Sequence, residues 1–245
     1  MAETSLHRDL KALYARKGGR FEVPVDGYRI DVVCGRQLVE IQSGPLAAIR
    51  DKVRALLEDH RVLIVKPIVV EKLLVKRAAK GGEIVHRRLS PKRGQLLDVF
   101  HDLVHFTQVF PHRRLTIEIL LVDIEESRYP GHGRRRRWRL RDHQVEDQRL
   151  VAVRGSYRLK TASDLAGLIS CPLPKPFHTG HLAGLLGVQA WIAQRIAYCL
   201  RKMGAVQEVG KEGNSRLYEF RRPPRPSGQG RLAWQARDAA CRRAG

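Results

Sequence analysis

The sequence predicts an α/β protein: a small mixed sheet flanked by helices, followed by a short helical module that closes with a hairpin. Three observations carry this. Apolar residues recur at helical spacing in some stretches and run in alternating or continuous strand-length blocks in others, the two kinds interleaved through about residue 150. Beyond that point, three helical stretches precede a glycine-centred hairpin pattern. A chain of 245 residues, 43% of them hydrophobic, has ample material for a core and is not a largely disordered polymer.

Residues 3–16 form the first expected helix, with Leu6, Leu10, Leu13 and Tyr14 on one face and Gly18-Gly19 as its stop. Three short strands are expected at 21–25, 28–34 and 37–42, punctuated by Pro24, Gly27 and Gly35. Helical periodicity resumes over 46–60 through Ile49, Val53, Leu56 and Leu57. Residues 62–70 read as a buried strand, 73–89 as a basic hairpin broken at Gly81-Gly82, 94–106 as helical, and 115–124 as a second buried strand. The domain boundary is placed near residues 150–158, giving an α/β domain over 1–154, a helical module over 155–220 and a disordered basic tail over 221–245.

Charge narrows the function. The formal net charge is +21 and the pI about 10.6, as expected of a protein whose partner is a polyanion. The excess is concentrated: residues 72–95 carry eight bases and one acid, 128–149 eight and three, 221–245 seven and one. Four cysteines lie far apart without C-x-x-C spacing, which fits intracellular thiols better than a zinc site or a disulfide framework. No apolar run approaches the roughly 18 residues of a membrane span, and the first residues lack a signal-peptide core, so a soluble cytoplasmic protein is expected.

The strands at 28–34 and 37–42 carry the chemistry. A two-residue Gly35-Arg36 turn pairs Cys34 with Gln37, which sets Val32 against Val39 and Ile30 against Ile41 on one face. On the other face Asp31 meets Glu40, and Arg29 meets Gln42. Two carboxylates directly opposite destabilise a sheet unless a positive charge lies between them. A divalent cation, Mg²⁺ or Mn²⁺, supplies it with chemistry suited to phosphodiester hydrolysis; pairing with Arg29 or Lys52 is the alternative.

These residues, Tyr28-Arg29-Ile30-Asp31-Val32-Val33 and Leu38-Val39-Glu40-Ile41-Gln42, resemble the core of the PD-(D/E)XK nuclease superfamily, in which a leading helix precedes a strand with Asp and a strand with Glu-x-Lys. The resemblance spans residues 3–70 and implies a restriction-endonuclease-like fold, with Asp31 and Glu40 as metal ligands. Gln42 stands where the superfamily has lysine, a variant seen in competence-protein-like nucleases, and would orient water or phosphate. Glu3 matches the occasional acid of the first helix, with Glu22 its rival, and Lys52 or Lys66 can supply the missing cation.

Residues 177–220 resemble a winged helix-turn-helix domain, with 162–169 as its first helix. Thr179 caps one helix, Gly187 turns the chain, 188–203 form a second helix, and 206–220 a hairpin around 210–214. Ile192, Ile196, Cys199, Leu200 and Met203 make its core stripe, leaving Trp191, Gln194, Arg195, Tyr198, Arg201 and Lys202 to face a DNA groove, with Lys211 and Arg216 on the wing. The alternative is that Trp191 and Tyr198 face a partner domain. Arg135, Arg136 and Trp138, in the basic run 134–141, are further expected DNA contacts. The His101/His105 and His178/His181 pairs are set aside as metal sites, because an amphipathic helix and a helix cap explain them. The sequence thus points to a bacterial DNA-acting protein, a metal-dependent nuclease with a winged-helix module. The rival is a non-catalytic DNA-binding or regulatory protein with a degenerate nuclease-like domain. RNA is not excluded as the partner, and no membrane or small-molecule cofactor is implied.

Overall fold

In the computed structural model, which describes residues 3–15, 18–131, 143–169 and 172–224, the first helix is α1 (Ser5–Tyr14). Thr4 caps it through a hydrogen bond from the His7 N–H, and Leu6, Leu10 and Leu13 are buried on its inner face. β1 (Arg20–Val25) and β2 (Tyr28–Cys34) form a hairpin through Asp26-Gly27, both at positive φ, as a type I′ turn requires. β3 (Gln37–Ile41) follows across Gly35-Arg36, in the expected register: Val32 opposite Val39, Val33 opposite Leu38, Cys34 opposite Gln37.

The chain then crosses through a 3-10 turn, Leu46–Ile49, and α2 (Arg50–Leu56) to β4 (Arg61–Arg77), parallel to β3. β5 (Ile84–Leu89) pairs antiparallel with the far half of β4. A second 3-10 turn, Leu96–Val99, and α3 (Phe100–Leu103) lead to β6 (Leu115–Pro130), parallel to β4, and β7 (His143–Leu159) returns antiparallel to β6. The sheet order is β1-β2-β3-β4-β6-β7, with β5 beside β4.

Seven strands make this a large mixed sheet rather than the small one expected. The hairpin expected at 73–89 is present as the far half of β4 with β5, but its first strand is continuous with the strand at 62–70, and β6 likewise runs on past residue 124 into a charged stretch. Those charges are satisfied across strands: Lys72 Nζ lies 2.5 Å from Glu126 Oε2, and Arg154 Nε lies 2.7 Å from Asp123 Oδ2. Residues 143–159, expected as the approach to a domain boundary, are a seventeen-residue strand for the same reason.

α1 covers one face, over Val32, Val39, Ile41, Leu63, Val65 and Leu120. α2 and α3 cover the other, and that cluster continues from Ile117 and Leu159 into Leu165, Phe177, Ile196 and Leu200. The change from sheet to helix falls after Leu159, and one hydrophobic core spans it. Beyond lie α4 (Ala162–Ala166), α5 (Thr179–Leu186) and α6 (Ala190–Lys202), then the hairpin β8 (Val206–Glu212) and β9 (Ser215–Phe220). His178, rather than Thr179, caps α5. Residues 225–245 of the expected tail lie outside the described residues. No helix among the described residues is long and apolar enough to cross a membrane.

Candidate active site

At the end of the β2–β3 ladder, beyond the Val32–Val39 pair, the Ile41 N–H donates to Asp31 Oδ2 at 2.8 Å, and the Gln42 N–H donates to Val65 O on β4. Asp31 and Glu40 are therefore not a simple cross-strand pair. Ile30 likewise leaves the face of Val32, Val39 and Ile41 and joins the core beneath α2 and α3. Each carboxylate is held by a different helix. His7 Nε2 on α1 lies 3.0 Å from Asp31 Oδ1; Lys52 Nζ on α2 lies 2.6 Å from Glu40 Oε1 and also donates to Arg29 O.

These environments push the two acids in opposite directions. Burial works to raise Asp31, but the His7 hydrogen bond and the Ile41 N–H outweigh it and hold the carboxyl below the usual aspartate range. Glu40 is raised by burial first and by the neighbouring Asp31 charge, against the pull of Lys52. Its second oxygen, Oε2, is buried and has no hydrogen-bond partner among the described residues.

An open cleft of about 620 Å³ is lined by Glu3, His7, Glu22, Arg29, Gln42 and Ser43, among others. Its charge is mixed. Lys11 lies 2.5 Å from Glu3 Oε1 and also pairs with Glu22, which pairs in turn with Arg29, so both acids proposed for this region converge on one lysine. Glu22 adopts φ +53°, a left-handed conformation that costs a non-glycine residue about 1–2 kcal/mol and that persists where contacts overdetermine it. Gln42 donates through Nε2 to Pro45 O at 2.8 Å, which fixes its amide at the cleft wall. Lys66 braces the same loop, donating to Gly44 O at 2.6 Å while pairing with Asp102 at 3.0 Å.

Sequence reasoning missed His7 and Lys11. The signal was the polar stripe Glu3, His7, Lys11 at i, i+4, i+8, flanking the leucine face of α1. Asp31 and Glu40 are the only acids on β2 and β3, and no group of three or more His, Cys, Asp or Glu arranged to hold a metal occurs among the described residues.

The outer face of α6 is partly occupied. Trp191 stacks on His101 of α3 at 5.2 Å, and Arg195 Nη1 lies 2.7 Å from His101 Nδ1. Two of the six residues expected to face DNA thus contact the sheet-bearing part of the chain, because α6 shares the core in which α3 lies. Gln194, Tyr198 and Lys202 are exposed, and Arg201 is half-buried. On the hairpin, exposed Lys211 and Arg216 sit directly opposite each other, with Arg216 3.1 Å from Glu208. Arg135, Arg136 and Trp138 lie outside the described residues.

Fold and site together define a mixed α/β protein with two oppositely tuned carboxylates on β2 and β3 and a helical module on the same core. The chain belongs to the family described as Domain of unknown function (DUF8091), which matches residues 4–160, from the cap of α1 to the end of β7. It is 30% identical over 224 residues to an uncharacterized protein of Treponema pallidum (strain Nichols), covering 91% of this chain and 86% of that protein. The shared region is thus longer than the family match and reaches into the helical module. No solved structure matches the chain.

Proposed function

We propose that this protein is a metal-dependent phosphodiester hydrolase acting on DNA, with the helical module serving as a winged-helix DNA-binding element. The observation that carries the reading is the Asp31–Glu40 pair beside an open cleft, two carboxylates brought to the end of one hairpin and each oriented by a group of a different helix. Asp31 and Glu40 would hold Mg²⁺ or Mn²⁺, and the unpartnered Glu40 Oε2 is the donor that fits it. Such an ion supplies positive charge to a phosphate oxygen and lowers the pKa of water.

The chain's own groups do the rest. His7 and the Ile41 N–H fix the Asp31 carboxylate, so it stays ionised and oriented. Lys52 places a cation on Glu40, in the role the superfamily gives to the lysine replaced here by Gln42. Hydrolysis forms one P–O bond from water, whose proton passes to solvent, and breaks the bond to the leaving sugar oxygen, which takes a proton from solvent.

The test is incubation of plasmid and single-stranded DNA with the protein in EDTA, Mg²⁺ or Mn²⁺, beside Asp31→Ala. Metal-dependent cleavage lost in the variant supports the reading; absence of cleavage under every condition overturns it. The second reading, a non-catalytic DNA binder, is favoured by one observation: both acids already have basic partners, His7 and Lys52. Tight DNA binding without cleavage is its signature.

A further inference from the structure

The far halves of β4, β6 and β7, with β5 beside β4, form a four-stranded extension of the sheet. Side-chain contacts identify one of its faces. Lys72 Nζ lies 2.5 Å and Gln148 Nε2 2.8 Å from Glu126 Oε2, and Arg128 pairs with the other oxygen of Glu126. Residues directly opposite on neighbouring strands share a face, and alternate residues return to it. Lys76 lies opposite both Arg128 and His86, while Arg88 lies opposite Leu74, itself opposite Glu126. Lys72, Lys76, His86, Arg88 and Arg128 therefore crowd one face around a single carboxylate that is 2% exposed.

Glu126 is fully engaged and cannot neutralise this field. Lys76 and Arg88 are exposed and have no ion-pair partner among the described residues. The face also adjoins the cleft. Ile124 and Leu150, next along it, lie in the core beneath α1. The Ser5 N–H donates to Asp147 and the Leu150 N–H to Asp9, so the start of α1, whose Glu3, Thr4 and His7 line the cleft, stands at the edge of the basic face.

We infer that this face is a platform for the sugar–phosphate backbone of duplex DNA, leading it to the cleft; the inference rests on the DNA-acting reading above. Charge selects the occupant. The cations cover three strands, about 10 Å across, and about 13 Å along β4, enough to meet several phosphates of a duplex that carries one charge per ~1.7 Å of axis. Single strands are held chiefly by stacking on large aromatic rings, and none of the residues named on this face is Phe, Tyr or Trp.

The test is binding of a short labelled duplex, and of one of its strands alone, to the full chain over a range of salt concentrations in EDTA. Wild type is compared with Lys76→Glu/Arg88→Glu and with the milder Lys76→Gln/Arg88→Gln. The platform predicts stronger binding to the duplex, a log–log salt slope about 2 shallower in both variants, and an affinity loss of about 10-fold or more in the glutamate variant. Circular dichroism establishes that the variants are folded. An unchanged slope and affinity in folded variants overturn the platform while leaving a DNA-acting protein in place. Preference of wild type for the single strand overturns the duplex as occupant, and failure of wild type to bind any DNA overturns this inference and the functional reading together.

Discussion

His7 Nε2 and Asp31 Oδ1 lie 3.0 Å apart, and each shifts the proton affinity of the other: the imidazole is raised above the usual histidine value, chiefly by this hydrogen bond, and the carboxyl is held low. The contact joins the leading helix to the strand that carries the first acid.

That pairing has a pH signature. With the folded His7 value raised, its contribution is complete below the unfolded value of about 6.5 and is lost as pH rises through the folded one; with the folded Asp31 value lowered, its contribution is complete above about 3.9 and is lost as pH falls through the folded one. The pair stabilises most between those limits. His7→Ala should cost about 1 kcal/mol at pH 5.5, allowing for solvent at the half-buried ring, and less at pH 9. Urea unfolding at the two pH values measures this, and equal losses would contradict it.

Glu40 behaves in the opposite sense. Its folded value is raised, so stability falls as pH rises from the unfolded value of about 4.3 through the folded one. Glu40→Gln should therefore be as stable as wild type or up to about 1 kcal/mol more stable at pH 8, although the substitution removes a proposed catalytic group. Lys52→Met, which leaves the carboxylate buried without its cation, should cost about 2–3 kcal/mol at pH 8 and little at pH 4. A destabilised Glu40→Gln at pH 8 would show that the ion pair outweighs burial.

If Lys52 takes the part of the missing lysine, Lys52→Ala should slow DNA cleavage by about 100-fold. Gln42→Lys in that background should restore part of the rate, since residue 42 lines the cleft and lies two positions from Glu40. Single-turnover cleavage assays of the two variants decide it; no rescue would place the functional cation elsewhere.

The docking of α6 can be observed through Trp191. His101→Ala removes the stack and the Arg195 hydrogen bond, and should cost about 1 kcal/mol and shift Trp191 emission to the red. The measurement uses a Trp138→Phe/Trp234→Phe background. Unchanged emission would mean that Trp191 does not rest on α3 in solution.

Local chemistry made much of this legible in advance. Gly35, at φ +57°, admits the tight turn that sets Val32 against Val39, and from that register Asp31 and Glu40 could be singled out as neighbours. The leucines of α1, the buried start of β4 and the core stripe of α6 were likewise readable, because each depends on spacing within one element.

Tertiary structure decided what spacing leaves open. The strand at 62–70 and the first strand of the hairpin at 73–89 are one continuous element, β4, and Lys72 at their junction meets Glu126, a partner 54 positions away. β7 exists because its polar residues find acids on β6, as Arg154 finds Asp123 and Ser156 finds Glu118. The site shows the same division. Sequence alone selected the acids of the hairpin and offered Arg29 or Lys52 as their basic partner, whereas folding chose Lys52, added His7 and brought His101 against the outer face of α6. Periodicity records how each element meets its own core; pairing of long polar side chains depends on which distant residues the packed chain brings within a few ångströms.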